Sequence, residues 1–201
     1  MQDRNPSRPH VDCGELTALW RAIDQLPQLP RAYFLVVLLT GARRNEVRCM
    51  AWSELDLDAR LWRIPPERNR SARAFDPPLT APVVETLRAL PRIGPMVFTL
   101  NGKQPMAVQQ LIERVRGDAG LIDMRLHDLR RTLRTGLAEL RVSFEVAERV
   151  LNHAMPGLQA VYNRHNYMAE KRTALALWAE HVLSLAAKRE ATVVAFRPAA
   201  A

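Results

Sequence analysis

The chain has 201 residues, of which 48% are hydrophobic and 25% are charged. That length and balance are typical of one globular domain, and a domain of this size buries enough surface to fold without a disulfide or a metal. The longest apolar run, residues 32–39, is far shorter than the roughly 18 residues that a membrane-spanning helix needs. The composition therefore excludes a membrane partner.

The charge balance points to a polyanionic partner. Lysine and arginine together number 29 against 21 acidic residues, and three of the 29 are lysines, which leaves 26 arginines. The guanidinium group presents a planar fork of donors that matches phosphate oxygens. Because Cys13 and Cys49 show no ligand spacing, we expect a cytoplasmic protein without a metal or other cofactor.

Helical periodicity dominates the first quarter of the chain. Apolar residues recur every three or four positions in residues 13–26, and proline, threonine and glycine separate this stretch from the next two. Three helices are predicted, over residues 13–26, 31–39 and about 43–50.

The middle of the chain has a different pattern. Residues 55–57, 61–64 and 75–79 are short segments between turn-rich stretches, which predicts an antiparallel hairpin sheet. Prolines at 65, 66, 77 and 78 confine these segments to strand ends and edges. Helical patterns then return, over residues 81–90, 106–117, 127–140, 143–152, 156–162 and 168–188. The predicted fold class is mainly α with a small three-stranded antiparallel β-sheet.

Three stretches carry candidate chemistry: TGARRNEV at 40–47, HDLRRT at 127–132 and LNHAMPGLQAVY at 151–162. Each stretch alone is weak evidence of a functional site. A pair of arginines usually lies on a solvated surface, a single histidine is usually structural, and a tyrosine on an amphipathic helix usually packs against neighbouring side chains. Their combination and spacing are the informative feature.

Together these stretches resemble the tyrosine recombinase family, which includes the phage integrases. The family has an arginine three residues after a threonine, as Arg43 follows Thr40, and an acidic residue soon after, here Glu46. An HxxR motif follows roughly 80–100 residues later in the family, here His127 and Arg130.

The third stretch completes the family pattern. His153 occupies the place of the family's GH-like histidine, and Tyr162 lies nine residues beyond it, where the family has its nucleophile. The amino-acid sequences of residues 52–57 and 162–172 also resemble those of phage and prophage integrases. The resemblance covers about residues 13–188 and implies the tyrosine recombinase catalytic-domain fold.

The resemblance implies a reaction and a role for each residue. A tyrosine, here Tyr162, attacks a DNA phosphodiester and forms a 3′-phosphotyrosine, so that rejoining needs neither ATP nor a metal. Arg43 and Arg130 would clamp the phosphate oxygens, where charge accumulates in the transition state. His127 would act as general base or phosphate donor, and His153 would hydrogen-bond the phosphate.

Two positions have competitors within the motifs. Arg44 adjoins Arg43, and the spacing from Thr40 favours Arg43. Tyr167 competes with Tyr162, but it lies fourteen residues beyond the motif histidine rather than nine. We therefore expect Tyr162 to be the nucleophile.

The hairpin departs from the family at the general acid. Residues 64–79 align without a gap with the family's hairpin sequence, and Arg70 lies at the position where the family has a lysine. Ala72 stands where the family has a turn glycine. Arginine holds its proton too tightly to act as an acid. The alternative is thus a degenerate recombinase domain that binds DNA but cleaves poorly, and a helical DNA binder of unrelated class is a third reading.

The expected organisation is a linker over residues 1–12, the catalytic domain over 13–190 and a tail over 191–201. Family integrases carry a further DNA-binding domain before this one, so we expect either an excised domain or a natural remnant. The expected partners are double-stranded DNA and other protomers in a synaptic tetramer, with the isolated domain monomeric. The apolar stripe of the last predicted helix is either core or a subunit contact.

Overall fold

The computed structural model describes residues 10–69, 71–153 and 167–190. Arg70, Tyr162, the predicted helix 156–162 and the tail 191–201 lie outside the described residues. Within the described ranges the α-helices are α1 Cys13–Asp24, α2 Gln28–Thr40, α3 Arg44–Arg48, α4 Ala81–Arg88, α5 Gln109–Asp118, α6 Leu126–Glu139, α7 Phe144–Val150 and α8 Met168–Glu190. The strands are β1 Leu55–Asp56 and β2 Leu61–Trp62, and 3-10 turns cover Trp52–Glu54 and Pro66–Arg68.

The predicted fold class, mainly α with a small antiparallel sheet, is confirmed, but the strand count differs. β1 and β2 pair antiparallel, with Leu55 opposite Trp62. The third predicted segment, residues 75–79, meets the sheet only through the isolated bridges Ile64–Phe75 and Leu61–Pro78. Prolines at 77 and 78 supply no N–H, so the ladder cannot continue along this segment.

Helix α2 lies at the centre of the core. Ten of its residues are buried, as expected for a helix that is apolar on all sides. The Tyr33 ring packs edge-on against Phe34 and Phe98. The Trp178 indole of α8 donates to the Leu38 carbonyl at 2.9 Å. Helices α1, α3, α4, α6 and α8 all contact α2.

Most of the apolar stripe of α8 belongs to the core, although Leu177 is 39% exposed. Leu175, Trp178 and Val182 are each 1% exposed, so the first of the two expectations for this stripe is confirmed for these residues. No helix in the described part of the chain is long and apolar enough to cross a membrane.

The C-terminal end of α2 is set by Gly41. Its φ of +63° is left-handed, a conformation in which a Cβ clashes with the backbone. A Cβ added there would also lie 3.0 Å from the Leu151 side chain and 3.1 Å from the Leu133 side chain. Gly41 thus turns the chain out of α2 and into the segment that carries Arg43.

We predict that Gly41→Ala lowers the free energy of unfolding by about 1–2 kcal/mol, the cost of a left-handed residue that has a Cβ. Gly117→Ala is the matched control, since Gly117 is helical and nothing lies within 4 Å of its added Cβ. That control should be neutral or stabilising by up to about 1 kcal/mol. Urea unfolding of both variants measures the difference, and equal stabilities would contradict the prediction.

Candidate active site

Arg130 lies at the centre of the site. It is on α6, between the buried residues Leu129 and Leu133, and is only 5% exposed. Its Nη1 donates to the Gly41 carbonyl at 2.7 Å, and its Nη2 donates to the Leu151 carbonyl. Both carbonyls belong to the C-terminal turns of helices, α2 and α7, where the helix dipole is negative. One guanidinium therefore joins three helices.

The charge of Arg130 is only partly compensated. Burial and, after it, the positive charge of Arg43 lower the pKa of Arg130 to about 10, against the opposing charges of Glu46 and Glu148. The group remains charged at neutral pH. Among the residues that the structure describes, its hydrogen-bond partners are neutral carbonyls and it forms no salt bridge. An anion at this position would be attracted.

Arg43 is held by Glu46. Arg43 caps the N-terminus of α3, where Glu46 Oε2 accepts its backbone N–H at 2.8 Å and Glu46 Oε1 accepts its Nη1 at 2.7 Å. Glu46 is 4% exposed. Arg44 points elsewhere, because its Nη1 donates to Gln109 on α5 at 3.2 Å. The geometry brings Arg43, not Arg44, close enough to act on Arg130.

His127 lies one helical turn before Arg130 on α6. Partial burial and the positive charges of Arg130, Arg131 and Arg43 lower the pKa of His127, against the opposing charge of Asp128. Its imidazole is therefore neutral at neutral pH and can accept a proton.

The turn after α7 positions His153. Asn152 has a left-handed φ of 51°, and its N–H bonds the Arg149 carbonyl at 3.2 Å, while the His153 N–H bonds the Glu148 carbonyl at 2.9 Å. This pair of bonds is the Schellman arrangement that closes a helix. It folds His153 back along α7 onto the side chain of Glu148.

Glu148 orients the His153 ring. Glu148 Oε2 lies 2.6 Å from His153 Nδ1, and Glu148 Oε1 accepts from Arg134 Nε at 2.6 Å. Burial alone would raise the pKa of Glu148, but hydrogen bonds from Arg134 and His153 outweigh it and the pKa is lowered. Because an ionised carboxylate can only accept hydrogen bonds, His153 Nδ1 donates to Glu148.

The sequence analysis missed Glu148. It is five residues from His153, a spacing that does not share a face of a continuous helix. The available signal was Asn152, one residue beyond the Leu151 cap. A left-handed residue at that position brings the second residue beyond the cap, His153, close to the third-last helical residue, Glu148.

Tyr167 occupies a structural position at the start of α8. Its backbone is left-handed, with φ of 54°, and its carbonyl accepts the Lys171 N–H at 2.9 Å. The Arg149 guanidinium lies 4.1 Å from the centre of its ring. Tyr162 and Arg70 lie outside the described residues, so the structure brings together Arg43, Glu46, His127, Arg130 and His153 of the predicted set.

The sequence model of the phage integrase family matches residues 11–169. This chain belongs to the phage integrase family. Prophage integrase IntA of Escherichia coli (strain K12) is 29% identical to it over 178 residues, covering 79% of this chain and 43% of the relative. Prophage integrase IntZ of the same strain is 24% identical over 183 residues, covering 88% and 46%. This integrase-family chain thus spans less than half the length of either relative.

Solved integrase and recombinase structures share the fold. The integrase from mycobacterium phage Brujita superposes with a TM-score of 0.70 at 18% identity, covering 88% of this chain and 59% of that one. A XerH site-specific recombinase bound to difH substrate gives 0.60 at 18% identity, covering 84% and 55%. The predicted tyrosine recombinase catalytic-domain fold is confirmed.

We predict that His127 titrates below the ordinary histidine value of about 6.5. Arg130→Met should raise this pKa, because it removes a positive charge next to the ring, whereas Arg130→Lys should leave it low. Since the unfolded chain binds the proton more tightly, protonation of His127 should also ease unfolding as the pH falls below about 6.5. NMR titration of the ring protons measures the pKa, and a value of 6.5 or above in the parent would contradict the prediction.

Proposed function

We propose that this chain is the catalytic domain of a site-specific recombinase, which cleaves and rejoins DNA through a 3′-phosphotyrosine formed at Tyr162. The observation that carries the proposal is the buried charge of Arg130, which lies beside Arg43 and forms no salt bridge with any residue that the structure describes. Two guanidiniums of like charge that lie close together are stabilised when a phosphodiester binds between them. Family membership supplies the reaction class.

The proposed cleavage step breaks one bond and forms one. The Tyr162 oxygen attacks the phosphorus and the bond to the 5′-oxygen breaks. The departing oxygen takes up a proton from solvent, and the products are a 3′-phosphotyrosine and a free 5′-hydroxyl. A phenol ionises near pH 10, so the neutral imidazole of His127 would take its proton. Arg43 and Arg130 would bind the non-bridging oxygens. His153, oriented by Glu148, would donate from Nε2 to the same phosphate when both of its ring nitrogens carry a proton.

Rejoining would run the same steps in reverse, with a 5′-hydroxyl from another strand as the nucleophile. The covalent link stores the energy of the broken bond, so the step needs no cofactor.

We propose double-stranded DNA in the cytoplasm as the substrate and a tetramer of protomers as the acting assembly, with the isolated chain monomeric. The net charge of +8 favours phosphate contacts.

We predict that Tyr162→Phe abolishes covalent adduct formation on a nicked DNA duplex. Tyr167→Phe is the matched control, because phenylalanine keeps the ring beneath Arg149 and removes only the hydroxyl. It should form adduct at close to the parent rate. Denaturing electrophoresis of the labelled duplex measures the adduct. The reverse pattern would place the nucleophile at Tyr167.

Arg70 favours a second candidate function, a recombinase domain that binds DNA but cleaves it poorly. The 5′-oxygen must gain a proton as it leaves, and a positioned acid contributes about 10²–10⁴-fold. Arginine at the family's lysine position cannot donate that proton at neutral pH. Such a chain would retain the arginine clamp and its affinity for DNA.

We predict that Arg70→Lys raises the rate of adduct formation by about ten-fold or more, because lysine can serve as the acid. A substrate with sulfur in the 5′-bridging position has a leaving group that needs no acid. On that substrate the parent and Arg70→Lys should react at similar rates. Single-turnover cleavage of the two substrates measures the effect. A slower lysine variant on ordinary DNA would show that the site depends on arginine at this position.

A further inference from the structure

Asn69 is a buried polar residue between the 3-10 turn and the exposed tip of the hairpin. It is 5% exposed, whereas residues 71–74 are all exposed. Its Nδ2 donates to the Arg73 carbonyl at 2.6 Å, and its Oδ1 accepts the Ser71 N–H at 3.3 Å. The side-chain amide of Asn69 therefore holds the backbone of the hairpin tip at two positions, Ser71 and Arg73.

The same amide also forms a hydrogen bond with the turn after α7, which carries His153. Asn152 Nδ2 donates to Asn69 Oδ1 at 3.1 Å, across 83 positions of sequence. Asn152 is the left-handed residue of the turn after α7, and it stands directly before His153, where the family's GH-like motif has glycine. Asparagine tolerates this conformation and adds an amide that glycine lacks.

The neighbouring residue provides a second anchor on the opposite side. Arg68 Nη2 donates to the Glu46 carbonyl at 2.6 Å, and Arg68 Nη1 pairs with Glu54 at 2.5 Å. Glu46 is the residue that holds Arg43. Consecutive hairpin residues thus bind the two segments that present Arg43 and His153.

We propose that Asn69 is a positioning residue for strand cleavage, which keeps the hairpin in register with His153 through Asn152. The inference rests on the proposed function, because the register matters when groups from both segments act on one phosphate. Residues 71–74 are all exposed and bury no apolar side chain, so directional hydrogen bonds must set the position of the tip. Displacing a reacting group by about 1 Å can cost on the order of 10²-fold in rate.

Asn152→Gly tests this contact, since it removes the amide and keeps the left-handed backbone. We expect single-turnover cleavage of a nicked duplex at saturating DNA to slow by about ten-fold or more. The dissociation constant for DNA and the melting temperature should stay close to those of the parent, which a merely structural role would not predict. Ala72→Gly is the matched control, because Ala72 has a left-handed φ of 51° in the same hairpin and loses only a methyl group.

A double-variant comparison isolates the pair. In an Asn69→Ala background, Asn152→Gly should have little further effect, because the shared hydrogen bond is already gone. If Asn69→Ala does not fold, Asn69→Ser supplies the background. An equal loss from Asn152→Gly in both backgrounds would overturn the inference, as would a parent-like rate for Asn152→Gly alone.

Hydrogen exchange in the free protein separates this inference from the proposed function. If Asn152 holds the hairpin, the Ser71 and Ala72 amides should exchange faster in Asn152→Gly than in the parent. Unchanged exchange would overturn the inference even if cleavage were slower. A parent chain that forms no adduct on DNA would instead overturn the proposed function, and the exchange rates would still decide whether the contact holds the hairpin.

Discussion

The hydrogen bonds of Arg130 to the Gly41 and Leu151 carbonyls are the constraint on which the site depends. A buried guanidinium without partners would be strongly unfavourable, and the negative ends of two helix dipoles make this one tolerable without neutralising it. The same contacts fix the distance between the ends of α2 and α7. Structure and residual charge at the site therefore come from one side chain.

The ends of helices, rather than their faces, present most of the functional groups. Gly41 closes α2 and is followed by Arg43, and Asn152 closes α7 and is followed by His153. Each closing residue is left-handed, so the chain reverses sharply and the next polar side chain is directed into the site. Carboxylates beneath them, Glu46 and Glu148, then hold the arginine and the histidine in orientation.

These carboxylates do not neutralise the site. Glu46 pairs with Arg43 and Glu148 pairs with His153, and neither forms an ion pair with Arg130. The site consequently combines positive charge, a histidine with a lowered pKa and fixed hydrogen-bond donors, an arrangement suited to a phosphodiester whose charge grows in the transition state. The hairpin, anchored at Arg68 and Asn69, adds a further element whose position relative to this charge is set by hydrogen bonds.

The sequence by itself determined the fold class and the helices that the structure describes, because apolar periodicity is a local property of the chain. The spacing of the motifs predicted the site residues. It predicted that Arg43, rather than Arg44, acts with Arg130, and this assignment stays a prediction. Tertiary structure decided the rest. The third strand reduces to isolated bridges because Pro77 and Pro78 lack donors. The contact of Asn69 with Asn152 joins positions 83 residues apart, and no local pattern encodes a hydrogen bond formed only when distant turns pack together.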